Sequence, residues 1–366
     1  MHLREPGRED KETIETGSRA AAKGGFTTIM CMPNTSPVID NPHIVEFIIR
    51  ESKRVGLVNV IPVGAITKGQ KGEELTEMLE LKQAGCLALS DDGKAVLNSR
   101  LMYLALQYSK MVGVLLIEHC QDNALTSGGV MNEGAVSTTL GLKGDPAVAE
   151  TVIVARDIEL ARYLDARIHL AHMSLKRSVE LIRFAKSLGI KVTAEACPHH
   201  FTLTEEAVQG FDTSTKVNPP LRTQEDVEAI QQGLKDGTID CIVTDHAPHT
   251  QEDKEVEFDH APFGMIGFET AVGLIITELV SKKILTLPQM AEKMSTAPAR
   301  IVGLTNKGEI KEGKDADLTI IDPDQEWVFK KDEIVSKSKN SPFIGRKFKG
   351  SVAWTICGGK IVYKRK

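Results

Sequence analysis

Short, β-branched apolar runs alternate with longer amphipathic stretches along the chain to about residue 300. The runs at 24–33 (GGFTTIMCMP), 58–67, 86–92, 112–120, 167–174, 191–200 and 239–249 predict seven strands. Between most of them lie helical patterns: HIVEFIIRESKRVG, EELTEMLELKQAG, RLMYLALQYSKMVG, AVAETVIVARDIELARYLDA, KRSVELIRFAKSLG and EDVEAIQQGLKDG. Several close on glycine, the usual helix stop. Repeated βα units predict a parallel sheet flanked by helices, either an open doubly wound sheet or a closed (β/α)8 barrel. After about residue 300 the texture changes to short alternating strands and turns (GEIKEGKDADLTIIDPD, EWVF, GSVAWTICGGKIVYKRK). The expected division is therefore a barrel domain over 1–304 and a small C-terminal β-sandwich portion over 305–366. A β unit of that size normally needs further strands, which residues ahead of the barrel would supply.

Two features favour the barrel. No strand is followed by GxGxxG or GxxxxGK[ST], the phosphate-binding loops of open sheets. Nearly every strand also ends in a residue able to do chemistry: Asn34, Asp91 and Asp92, His119, His172, His199 and His200, and Asp245. A barrel gathers such ends around one mouth. The opening MHLREPG places His2 and Arg4 two apart, as residues facing the same way at the end of a strand would be. His2 thus reads as the end of an eighth strand that the sequence does not contain, and the expected fold is a TIM barrel lacking its first strand.

Composition narrows the class. The 366 residues are 41% apolar and 26% charged, with a net charge of −5 and no basic blocks, so neither nucleic acid nor a membrane surface is an expected partner. Six cysteines without CxxC spacing, mostly in apolar runs, point to reduced thiols and a cytoplasmic protein. The sequence contains no long apolar run and no signal-like N-terminus.

His2, Asp92, His119, His172 and Asp245 form the candidate metal set, since imidazole and carboxylate are the ligands of a catalytic zinc with an open position. Each alone has a plainer reading as a hydrogen-bonded strand end, a turn residue or a cap. Their occurrence at the same end of different strands favours the metal. Arg4, Asn34, Asn218 and His249 offer donors for a carboxylate and amide groups, a surface ion pair and turn positions being the plainer alternatives. The acidic loop 251–264, ending in Phe263 and Gly264, reads as a cover over the mouth or as an ordinary solvated loop. Cys120 and His169 face away from the mouth by alternation, and His199 and His200 are ambiguous.

In order, HLREPG, CMPNT, SDDG, EHC, HLAHMS, VNPPLR and TDHAPH resemble the bacterial dihydroorotases of the amidohydrolase superfamily, in the branch with an aspartate in place of a carboxylated lysine. The resemblance implies a metal-dependent hydrolase barrel, with one or two zinc ions per subunit. Its expected reaction is reversible cyclisation of N-carbamoyl-L-aspartate to L-dihydroorotate in pyrimidine synthesis. It makes His2, Asp92, His119, His172 and Asp245 the metal ligands and Asp245 also the proton shuttle. Arg4, Asn34 and His249 would hold the substrate carboxylate, while Asn218 and the backbone at Phe263 and Gly264 would contact the ring. A homodimer and a complex with aspartate carbamoyltransferase are further expectations of the family.

The family's first strand ends in D-x-H-V-H, and here Met1 stands between the two histidine positions. The expectation is an N-terminally incomplete sequence that binds at least one zinc poorly. Two rivals remain: a dihydropyrimidinase- or allantoinase-type cyclic amidohydrolase, which would need a bridging lysine where Ser90-Asp91-Asp92 stands, and a non-catalytic scaffold, against which the retained ligands argue.

Overall fold

Parallel β-strands in sequential order make the centre of the molecule. The computed structural model describes residues 1–365. Strands β1 (Thr28–Cys31) and β2 (Asn59–Pro62) pair in parallel, Ile29 opposite Val60. A bridge from Gly64 to Leu89 links them to β3 (Ala88–Leu89) and β4 (Leu115–Glu118). A short ribbon, β5 (Met131–Asn132) and β6 (Gly144–Asp145), lies aside. The sheet then continues through β7 (Ile168–Leu170), β8 (Val192–Ala196) and β9 (Cys241–Ile242). Each predicted strand is present but shorter at both ends, and the residues past its C-terminal end enter the loops that carry the candidate chemistry. Parallel strands covered on both faces read as continuous apolar runs. Along β4, Leu116 packs toward the helices, while Leu115 and Ile117 join Val63, Ala88 and Ala171 in a separate inner cluster.

The helices follow local rules. Asn41 caps Pro42–Val55, which starts on proline and stops at Gly56 in the left-handed region. Asn98 caps Ser99–Val112, which stops at Gly113 in the same way. The helix Val148–Leu164 packs over the sheet and carries a buried ion cluster. Its Arg156 Nε donates to Asp157 at 2.8 Å, and a terminal nitrogen lies 3.4 Å from Glu118, the residue before His119. Burial pushes the Asp157 carboxyl up to about 6 against the pull of Arg156. Arg156→Met is expected to cost about 3–5 kcal/mol, as stranding buried charge does. Asp157 gains a proton more readily folded than unfolded, so the penalty should be smaller at pH 5 than at pH 8, which denaturant melts at the two values would read.

The C-terminal residues form one three-stranded antiparallel sheet: β10 (Leu318–Val328), β11 (Lys347–Cys357) and β12 (Lys360–Lys364). Gly358 and Gly359, both at positive φ, make the tight turn between the last two strands. The sequence sets this unit apart, whereas the structure packs it on the rest. Thr355 donates its hydroxyl to the Ala22 carbonyl at 2.6 Å, and Gly350 lies against Ile276 so closely that a Cβ would stand 2.3 Å from it.

Candidate active site and metal centre

The mouth is assembled from the residues just past the strand ends. Met1 and His2 lie between β1 and β9, with Met32 N donating to Met1 O at 2.9 Å and His2 N to His246 O at 2.8 Å. This backbone tie brings the His2 ring to the mouth. Its Nδ1 lies 2.8 Å from Asn34 Oδ1, and an amide oxygen accepts, so Nδ1 carries a proton. Nε2 then faces two carboxylates, Asp245 at 3.2 Å and Asp92 at 3.5 Å.

On the other side, Asp92, His119 and His172 are all buried, with one donor atom of each within 4.8 Å of the others. Two imidazole nitrogens, His119 Nδ1 and His172 Nε2, approach to 3.0 Å, and His172 Nδ1 is buried without a partner. A divalent cation fits this set, because carboxylates and imidazole lone pairs crowded together in a dry site need positive charge between them. Burial and the neighbouring His172 push the His119 imidazole down to about 4, so it offers a lone pair at neutral pH. Burial favours the neutral form of Asp245, but the hydrogen bond and charge of His2 outweigh it and hold the carboxyl well below the usual range.

Within Ser90-Asp91-Asp92 the two aspartates have different partners. Asp91 accepts from Ile66 N at 2.8 Å, Thr67 N at 3.0 Å and the Thr67 hydroxyl, so it anchors a loop while Asp92 faces the mouth. Three site residues hold left-handed backbone without being glycine: Arg4 (φ 61°), His172 (φ 36°) and Asp245 (φ 42°). Each such residue costs on the order of 1–3 kcal/mol, and strain of this kind gathers where side-chain aim matters.

The remaining candidates come to the same place. Arg4 donates from Nε to Pro248 O at 3.2 Å, and its terminal nitrogen lies 3.3 Å from His249 Nε2. Burial lowers the Arg4 guanidinium to about 10, against the pull of Asp245 and Asp92, which leaves it charged. His249 Nε2 lies 2.9 Å from the Phe263 carbonyl. At Gly264 (φ +127°) a Cβ would stand 2.6 Å from the Ala247 Cβ, so only glycine brings this backbone so near. Asn218 and Gln121 exchange two amide hydrogen bonds of 2.8 Å beside His119. A cavity of about 740 Å³ reaches Asp92, His172 and Asp245 and runs inward between β1 and β9.

The loop at 251–264 is strapped down. Lys216 donates to Phe258 O and Asp259 O at 2.9 Å each, and Lys254 donates to Pro262 O at 2.7 Å. His169 is buried below the mouth with Glu195 at 2.9 Å, and Cys197, His199 and His200 form a second buried cluster. Sequence reasoning missed three residues: Gln121, Lys11 and Asn340. Lys11, in the charged run GREDKE, contacts His249, and Asn340 bonds to Ala247 O, Gly264 O and His249 N. A charged run reads as solvated, and nothing local marks Asn340.

Residues 1–178 match the family described as Dihydro-orotase-like, and residues 212–363 match the Amidohydrolase family. A dihydroorotase of Endomicrobium trichonymphae is 57% identical over 363 residues, spanning 99% of this chain and 86% of its own. One from Pelotomaculum thermopropionicum is 58% identical over 362 residues, spanning 99% of this chain and 84% of its own. Among solved structures, the L-hydantoinase (dihydropyrimidinase) of Arthrobacter aurescens is similar with a TM-score of 0.88 at 24% identity, covering 100% of this chain and 83% of that one. At that identity the likeness concerns the fold.

Proposed function

The chain belongs to the dihydroorotase family of the amidohydrolases, and we propose that its mouth opens and closes the ring of L-dihydroorotate, with N-carbamoyl-L-aspartate as the open form. The observation that carries this reading is the union of an Asp-His-His donor group with an arginine-histidine pair at one mouth. A carboxylate-bearing cyclic amide needs both.

His2, Asp92, His119, His172 and Asp245 would hold the metal, and zinc suits their nitrogen and oxygen donors. When bound, the metal supplies a Lewis acid for the ring carbonyl and lowers the pKa of water to about 7. Arg4, Asn34 and His249 grip the substrate carboxylate, which sets the ring's position. Asn218 and the backbone at Phe263 and Gly264 meet the ring's amide edge. Asp245, ionised and only partly exposed at the mouth, takes the proton of the attacking water and passes it to the departing ring nitrogen. Ring closure runs the same transfers backwards. By the same reading the product feeds pyrimidine synthesis. A cytoplasmic setting agrees with six free cysteines, and no described helix is long and apolar enough to cross a membrane.

The test is ring opening by the zinc-loaded chain with L-dihydroorotate, dihydrouracil and allantoin side by side. Turnover of L-dihydroorotate in preference to the others is expected. Activity on dihydrouracil or allantoin alone would overturn the assignment, because neither ring carries the carboxylate that Arg4 and His249 are proposed to bind.

A further inference from the structure

We propose that Lys11 fixes the tautomer of His249, and so makes this histidine a hydrogen-bond donor to the substrate carboxylate. The inference rests on the reading of Arg4, Asn34 and His249 as the carboxylate clamp. Lys11 is 7% exposed, with Nζ 3.0 Å from His249 Nδ1 and 2.9 Å from Asp253 Oδ2. An ammonium can only donate, so Nδ1 must present its lone pair. The ring proton then sits on Nε2, where the Phe263 carbonyl accepts it at 2.9 Å. Arg4 brings a second donor to within 3.3 Å of the same nitrogen. Two donors side by side suit one anionic oxygen, and Phe263 O holds the histidine's proton in place until that oxygen arrives.

The alternative tautomer has a ready acceptor. Asp253 Oδ2 lies 3.7 Å from His249 Nδ1, and without the lysine it would draw the proton there. Nε2 would then turn a lone pair toward the Phe263 carbonyl and the incoming carboxylate, where it repels both. Burial, with Arg4, Lys11 and Lys254 around the ring, lowers the imidazole to about 2, so the ring is neutral and the choice of nitrogen matters. Lys11 touches no reacting atom and acts through His249 as a positioning residue. It also ties the loop after Arg4 to the short helix Gln251–Lys254 through Asp253.

Nitrogen-15 NMR of histidine-labelled protein reads the tautomer directly, and steady-state kinetics with L-dihydroorotate read its consequence. The wild-type chain should show His249 protonated on Nε2. Lys11→Met should move the proton to Nδ1 and raise KM about tenfold to a hundredfold with kcat changed little, the loss of a hydrogen bond to a charged group. Lys11→Gln, whose amide can still donate to Nδ1, should restore both readouts. A wild-type His249 protonated on Nδ1, or a K11M protein that keeps the proton on Nε2 with an unchanged KM, overturns the proposal, and the first of these needs no variant to fold. If K11M moves the proton while the wild-type chain leaves L-dihydroorotate untouched, the lysine's hold on the tautomer stands and the substrate assignment fails.

Discussion

Replacing Asp245 with asparagine is expected to lower kcat for opening L-dihydroorotate by about two to four orders of magnitude, the contribution of a positioned general base. Asparagine keeps the shape of the side chain and removes its ability to take a proton. The structure gives this carboxylate few competitors for the role. It stands at the mouth after β9, held in left-handed backbone at φ 42° and within 3.2 Å of His2 Nε2. Asp91 is occupied with the backbone at Ile66 and Thr67, and Glu195 with His169. Because Asp245 is also a proposed metal ligand, zinc content must be measured on the same sample. A slow variant with full zinc assigns the loss to proton transfer, and a slow variant without zinc assigns it to the metal cage. Near wild-type kcat in a zinc-loaded D245N protein would remove Asp245 from the mechanism.

Much of this arrangement was legible because the barrel-type pattern separates core from chemistry along each strand. β4 shows how: VGVLLIEHC is apolar until Glu118 and His119, and the structure turns from ladder to site at that point. Of the helical regions that escaped the same reading, two did so for different reasons. Ile14–Lys23 is short and buries Gly17, Ser18 and three alanines beside Ile14 against the body, so its inner face lacks the run of large aliphatic side chains by which such a helix is read. Ala271–Ile275 is buried on all sides, which erases the 3.6-residue period. Lys11 and Asn340 were invisible for another reason. Their roles depend on partners more than 90 positions away or, for Asn340 and Gly264, 76 away, and local composition carries no trace of such pairings. The residues that could be read were those whose type alone restricts their use: histidines and aspartates at strand ends.

Asp92→Asn should reverse sign between metal-free and metal-loaded protein. In the metal-free chain Asp92 is a buried carboxylate that shares His2 with a second carboxylate, Asp245. Like charges in a dry site disfavour each other, so neutralising one should leave the metal-free melting temperature unchanged or higher. Zinc inverts the comparison. A ligand that binds only the folded state stabilises by about 2.7 kcal/mol at a hundred times its Kd, and the wild-type melt should rise accordingly when zinc is added after EDTA treatment. An amide is a weak zinc ligand and leaves His119 and His172 without the anion beside them, so the variant should show little or no rise and near-zero turnover. A crossing of the two melting curves, with wild type lower in EDTA and higher in zinc, is the signature expected of a residue kept for the metal at the expense of the metal-free fold. If D92N gains as much from zinc as the wild type does, the metal sits elsewhere, and the buried Cys197, His199 and His200 group becomes the next place to substitute.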